Sequence, residues 1–587
     1  MKRFTFSVLP LVVALGLAAQ GVAAETLKKP ALDRLAAMPA LRDAPDFKTF
    51  LSRAAGSRGA SKALKKAAAA YAAKWPLTGD DQINVGRMLG LYNRLHHHDA
   101  VIASISEMVA IPTVRAPDVP PHESPAIIEI GRRIETMAKD FGLQYRNVDN
   151  RIFEVKLPGT GSEEFGILTH ADVVPATAAE WVLDDGTKLD PFKVTRVGDY
   201  LYGRGTIDDK GSIAAVMFAM KSVKESGLPL ARTIRLMVET TEETGGDAMK
   251  YYREKTALPA YNIVLDSKYP AVVAEKGSGA LKVTFAGPAA PAGAAPAVTA
   301  TATAITAMAG APSANAIPQT ATARLQGGDL DAVAAQLNAA REAFVRKYEG
   351  QGGKFAIDVA RSADGVDVKV TGVSAHGSRP EEGVNPVPRL ALFLQESGVV
   401  LADNAHARAA RYVAELYGTD YLGQTLGVAY RDDFMGPLTL SPTLVRTGAD
   451  GRVDVTANVR MPRGSTPDDL KKALTAKIGA WMASSGTDAV VQYDQGNWMA
   501  RDPGGAWLST LLNIYGDTTG LEAKPVSTAG STTAKLMPNA INFGPAMPGK
   551  KYTAHNAKEY KEVADLDADM QMFTEMLVRI GNLPKMQ

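Results

Sequence analysis

The rhythm of hydrophobic and polar positions changes several times along this chain. From Glu25 to about Ala100, Ala, Lys and Leu dominate with few β-branched residues, a composition that predicts helices. From about Val101 two periods alternate. Ile127, Ile130, Ile134, Ala138 and Phe141 recur at helical spacing and stop at Gly142, a residue suited to a helix end. Phe165–Thr169 is a short apolar run that reads as a buried strand, and Lys210–Glu225 reads as a helix with Gly227 just beyond it. Ile234, Leu236 and Val238 alternate as a strand should, and Ile263-Val-Leu265 is a further strand candidate. Strands alternating with helices imply an α/β fold with a mostly parallel sheet covered on both faces.

The alternation breaks at Gly287–Gly310, where Ala, Pro, Gly and Thr dominate with almost no charge. This stretch reads either as a linker or as a loop and one helix of an inserted domain. The insertion mixes strand-like pieces (Val368–Thr371, Val453–Ala457) with helices (Leu330–Lys347, Pro467–Met482). The sheet signal then returns at Ala540–Phe543, and Leu566, Met570, Phe573, Leu577 and Ile580 mark a last helix. The division that follows is a leader over 1–24 and a helical segment over 25–100. A catalytic domain over 101–277 and 498–587 is then interrupted by an α+β lid over 278–497.

Composition narrows the functional classes. The chain has 65 Lys and Arg against 63 Asp and Glu, so nothing favours a nucleic-acid partner. Lys2 and Arg3, the apolar Phe6–Ala19 and the small residues Val22-Ala-Ala24 form an export signal cut before Glu25, which predicts a bacterial periplasmic or secreted protein. No later segment reaches the ~18 apolar residues of a membrane span. There is no cysteine, so thiolate ligands, a thiol nucleophile and disulfides are excluded, and any metal must be held by His and carboxylates. His96-His-His98 could bind metal, but adjacent helical residues do not converge on one ion, and a solvated helix end is the better reading.

The chemistry gathers where the strands run out. His170 and Asp172 follow the first strand, Glu242-Glu243 follow Val238, and Asp266 follows Ile263-Val-Leu265. Asp208-Asp209 stand immediately before a predicted helix. Ligands of open parallel sheets collect beyond the carboxyl ends of the strands. Carboxylates crowded there repel one another unless a cation neutralises them. Imidazole with carboxylate and no sulfur suits zinc, with manganese or cobalt as alternatives.

These motifs resemble those of the dinuclear zinc peptidase family that includes dipeptidase V, carboxypeptidase G, aminoacylase and succinyl-diaminopimelate desuccinylase. The residues that carry the likeness are Thr169-His-Ala-Asp172, Tyr202-Gly-Arg-Gly-Thr-Ile-Asp-Asp-Lys-Gly211, Glu242-Glu-Thr-Gly245, Asp266 with Tyr269-Pro270, and Ala554-His-Asn556. The resemblance spans roughly Val101–Asn582. It implies two zinc ions, with His170 and Asp266 on one, Glu243 and His555 on the other, and Asp208 bridging them. It implies a cis peptide bond between Asp208 and Asp209. It also implies Glu242 as general base toward a metal-bridging water, and Asp172 as the hydrogen-bond partner that orients His170.

The insertion carries further family-like pieces. Ser374-Ala-His-Gly-Ser378 resembles the lid motif whose histidine, here His376, polarises the substrate carbonyl. Asn315 and Arg460 match lid positions that bind substrate, the arginine as a fork for a terminal carboxylate. Gly530-Ser-Thr-Thr-Ala-Lys535 resembles a glycine-rich substrate loop, with lysine where relatives often place arginine. Many relatives have a shorter lid that dimerises and lends its histidine to the neighbouring subunit. The lid here is about 220 residues long, so the likeness is closest to dipeptidase V, with a doubled ferredoxin-like lid and a functional monomer. The implied activity is hydrolysis of the amide bond of a small peptide, foremost a dipeptide. The alternative is an N-acyl-amino-acid deacylase or carboxypeptidase using the same centre. A non-catalytic peptide-binding protein is disfavoured because the whole ligand set and Glu242 are present.

Overall fold

The computed structural model describes residues 26–286, 302–551 and 553–587, so the export signal expected over 1–24 lies outside the described residues. No helix among them is long and apolar enough to cross a membrane. Four strands make the parallel heart of the largest sheet: Thr233–Glu239, Glu164–His170, Tyr261–Val264 and Ala540–Asn542, in that spatial order. Antiparallel strands extend it on both sides, Gln144–Val148 and Ile152–Leu157 at one edge, Val272–Glu275 and Met499–Ala500 at the other.

Successive residues of the parallel strands face opposite sides, and both sides are covered. Ile167, Leu236 and Ile263 enter the main core with the helices Gly79–Val109, Lys210–Ser226 and Val563–Gly581. Their neighbours Leu168, Met237 and Val264 face the other way, onto Ala248, Met249 and Tyr252 of the helix Asp247–Lys255. The helix Lys210–Ser226 stops at Gly227, whose φ of +70° is the left-handed conformation that glycine adopts without strain.

The N-terminal segment is part of this core rather than an appendage. The helix Gly79–Val109 runs straight through position 100, so the boundary expected there falls inside one continuous element. Leu32, Phe50, Val85 and Met88 share the main core with the sheet. Gly90 permits close contact with the C-terminal helix, since a Cβ there would collide with the Gln571 carbonyl. Buried Arg87 bonds Glu575 at 3.0 Å and Asp517 at 2.6 Å. The His96–His98 run is not a solvated helix end. It lies mid-helix, with His96 bonded to the Leu41 carbonyl at 2.9 Å, His98 to Asp567 at 2.7 Å, and His97 beside Phe218.

The lid contains two four-stranded antiparallel sheets with one shared core. Gly277–Phe285, Thr439–Thr447, Val453–Met461 and Ala489–Gln495 form one sheet, with the helices Ala405–Leu416 and Pro467–Ser485, in the chain order βαββαβ. The other lobe, 304–396, follows the order ββαββα, and its strands lie in the spatial order Ala304–Ala309, Thr320–Gln326, Gly365–Thr371, Ala356–Ser362. Closing its ends and reopening the chain after its first strand would give the arrangement of the first lobe, so the two are circular permutations of one pattern. Of the stretch 287–310, which reads as a linker or as a loop with one helix, residues 302–310 are described, and Ala304–Ala309 is a strand. The remainder of that stretch lies outside the described residues.

Candidate active site

Three parallel strands end on one side of the sheet, and the side chains singled out in the sequence follow those ends. His170 is the last residue of its strand, in register with Glu239. Asp266 stands two residues beyond Val264, and Glu242–Thr244 form a single tight turn after Thr233–Glu239. Asp208 precedes the helix Lys210–Ser226, and its peptide bond to Asp209 is cis. His555 arrives from a loop near the C-terminus with φ +62°.

These groups converge. His170 Nε2 lies 2.8 Å from Asp208 Oδ1 and 3.8 Å from Asp266 Oδ1. His555 Nε2 lies 2.7 Å from Glu243 Oε1 and 3.3 Å from Asp208 Oδ2. The two oxygens of one carboxylate thus face two different histidines, each with a second carboxylate. Ligand atoms of His170, Asp208 and Glu243 fall within 4.8 Å of one another, as do those of His170, Glu242 and Asp266. His170 Nδ1 donates to the Asp172 carbonyl at 3.0 Å, which leaves Nε2 to face the carboxylates.

Electrostatics marks the same place. Burial pushes Asp266 up to about 7, helped by the Asp208 charge. Burial also raises Glu242 well above the usual carboxylate range, and the Asp266 charge adds to it. For Asp208, burial acts upward but is outweighed by the bonds to His170 and His555, which hold it low. His555 is raised to about 10: burial opposes its charged form, and the Glu243 charge overcomes that. A knot of carboxylates and imidazoles that share protons this tightly is a donor set suited to divalent cations, which relieve the repulsion.

Asp172 also does something that the resemblance does not imply. Its carboxylate oxygens accept the amides of Glu242 and Glu243, both at 3.1 Å, while its nearest oxygen is 3.6 Å from His170 Nδ1. It holds the glutamate turn, while its backbone carbonyl bonds the histidine and its carboxylate stays at ion-pair distance from the ring. Glu559, absent from the sequence reading, anchors the Asp208 loop. It accepts from Arg204 at 2.6 Å and from the amides of Gly205, Ile207 and Asp208 at 3.0, 3.1 and 3.3 Å. Glu275, also missed, accepts from the Thr532 amide at 3.0 Å and from Asn542 at 2.6 Å, fixing the loop before Lys535. The only signal for Glu559 was its place four residues after His555. Nothing in the pattern marked Glu275.

The lid closes over this floor around a cavity of about 700 Å³ lined by residues of both domains. The His376 ring stacks on His555 with centroids 4.5 Å apart. Its Nδ1 accepts from the Ser378 amide at 3.1 Å, so the neutral ring carries its proton on Nε2. Burial and the His555 and Arg460 charges keep it neutral, well below its usual pKa. Asn315 accepts the Gly377 amide on its carbonyl at 2.6 Å, beside the short pairing of Ala316 with His376. Arg460 is buried and donates from Nε to Asn458 at 2.9 Å. Lys535 donates to the Lys276 carbonyl at 2.6 Å and to Ser531 at 2.7 Å. All of these line the cavity.

The family model described as peptidase family M20/M25/M40 matches residues 166–579, most of the chain and every floor residue above. The chain belongs to this family. The M20 peptidase is 27% identical over 487 residues to a Beta-Ala-Xaa dipeptidase of Lactobacillus delbrueckii subsp. lactis, covering 82% of this chain and 96% of that one. Its fold is similar to human carnosine dipeptidase 1, with a TM-score of 0.53 at 13% identity over 85% of this chain and 99% of that one. A di-peptidase of Saccharomyces cerevisiae gives the same TM-score at 12% identity, with the same shares covered. The M20 peptidase is thus a peptide-bond hydrolase with a catalytic domain and a lid, as the motifs implied.

Proposed function

We propose that this peptidase is a dipeptidase that uses two zinc ions, held by His170 and Asp266, by Glu243 and His555, and by Asp208 between them. The observation that carries the reading is the Asp208 carboxylate, whose two oxygens lie 2.8 and 3.3 Å from different histidines. Bound there, the ions would supply Lewis acidity that polarises the scissile carbonyl and makes a water acidic near neutral pH. Glu242 projects from the same turn as Glu243 and would take the proton of the attacking water and pass it to the leaving amine. The Asp172 carboxylate fixes that turn, so the base keeps its position through both transfers. His376, neutral with its proton on Nε2, would donate to the carbonyl oxygen as negative charge builds. Arg460, with Asn315 close to His376, would bind the terminal carboxylate.

His376 stacks on His555 of the same chain, which supports a monomer that completes its own site. Sedimentation of active enzyme as a stable dimer alone would contradict this. The leader over 1–24 supports export, and N-terminal sequencing of protein recovered from the periplasm or medium should begin at Glu25. The decisive test of the activity uses metal-loaded enzyme with dipeptides, tripeptides and N-acetyl amino acids. Free dipeptides should be turned over best. Turnover of acetylated substrates alone would replace the dipeptidase reading with the deacylase one.

A further inference from the structure

Two cavities meet beside the centre. The central one continues toward a second cavity of about 550 Å³, and Lys268 and Arg379 line both. Apart from the four carboxylates of the centre, the charged residues that line the central cavity are Lys250, Lys268, Arg379, Arg460, Lys535 and a single acid, Asp494, at its exposed rim. Four of these cations already have partners. Arg460 bonds Asn458 and Lys535 bonds Ser531, while Lys250 pairs with Asp247 at 3.0 Å and Arg379 with Glu382 at 3.0 Å. Lys268 differs. It is partly buried on the short strand Ser267–Lys268, and its ammonium has no hydrogen bond or ion pair among the described residues. A half-buried ammonium without a partner is costly, and an anionic ligand removes the cost.

The cations fall into two groups. Arg460 and Lys535 feel each other and Glu242, whereas the charges that bear on Lys268 are those of Arg379 and Glu382. The second cavity includes Lys268 and Arg379 but neither Arg460 nor Lys535. We propose that Lys268 and Arg379 form an anion subsite at the doorway between the cavities, which selects dipeptides whose N-terminal residue has a carboxylate side chain. This rests on the dipeptidase reading, in which Arg460 takes the terminal carboxylate and leaves the doorway to the other end of the substrate. The substrate class is thus a dianionic peptide, and its side-chain carboxylate replaces the partner that Lys268 lacks.

The test compares L-glutamyl-L-alanine with L-alanyl-L-alanine on metal-loaded full-length enzyme. The wild type should favour the acidic peptide in kcat/KM by about tenfold, less at high salt. Lys268→Gln and Arg379→Gln should each bring that ratio toward one, and Lys268→Glu should shift preference to L-lysyl-L-alanine. A wild-type ratio near or below one, or a ratio unmoved in both glutamine variants, overturns the subsite. Calorimetric titration of Glu242→Gln with the two peptides reads the subsite without turnover. Tighter binding of the acidic peptide supports it even if the hydrolytic reading fails, and equal binding overturns it.

Discussion

The floor and the roof of the cavity are held together in different ways. On the floor, contacts join residues far apart in the chain: His170 with Asp208, Asp208 with His555, and His555 with Glu243. On the roof, three cavity-lining side chains are each held by a neighbour two residues away. His376 is held by Ser378, Arg460 by Asn458 and Asn315 by Ser313. Residues at i and i+2 of a strand share a face, and Arg460 and Asn458 lie on the strand Val453–Met461. The roof residues are thus oriented by bonds within the lid, and His376 also meets the floor by stacking on His555. The floor exists only when the whole catalytic domain is folded. The lid thus presents donors fixed by its own local bonds to a centre whose carboxylates and histidines come from the catalytic domain.

Breaking the floor should cost most. Asp208→Ala removes the group between the two histidines, and both metal occupancy and turnover should be lost, as read by elemental analysis beside a dipeptide assay. Glu242→Gln should leave about two metals per chain while kcat falls by roughly 10²–10⁴. A variant with wild-type turnover would falsify the role given to Glu242. Breaking the roof at His376→Ala should lower kcat by about 10²–10³ with metal content intact, the loss expected for one donor to a developing oxyanion. Glu559→Gln sharpens the contrast, since Glu559 does not line the cavity. Its effect should be a smaller loss, on the order of 10–100-fold, accompanied by weaker metal retention against a chelator.

The smallest effect lies far from the cavity. Burial lowers the pKa of His97 to about 4, with the Lys221 charge acting in the same direction. Its folded-state pKa is below the ordinary value near 6.5, so the neutral ring favours the fold above that pH. This contribution is lost as pH falls from about 6.5 toward 4. At pH 5 the loss is about 2 kcal/mol. Thermal melts of His97→Phe and wild type should therefore diverge on acidification, with the wild type losing more. Parallel curves would show that the ring does not titrate as its surroundings imply.

Much of the floor was legible before any coordinates. His170, Glu242, Glu243 and Asp266 each stand just past an apolar run whose period announced a strand, and parallel strands must deliver their ends to one side. Asp208 was legible from its place before a helix, and His555 only through the family motif, because no strand leads into it. Less legible were residues whose value depends on a distant partner. Arg87 pairs with Glu575 across nearly the whole chain, and Glu559 reaches back to the Asp208 loop. A hydrophobic period tells which face of an element is buried, not what it is buried against. The same gap hid the union of the N-terminal helices with the catalytic core, and it hid a strand in an Ala-rich stretch that reads as a linker or as a loop with one helix.

The order of amino acids alone determined the alternating architecture and the inventory of candidate metal-ligating side chains, since periodicity and local chemistry are written in adjacent residues. Tertiary structure decided that one carboxylate faces two histidines, that the Asp172 carboxylate holds the glutamate turn, and that Lys268 lines two cavities with no hydrogen bond or ion pair among the described residues. Those facts are distances between segments tens to hundreds of residues apart, and packing of the whole core sets them.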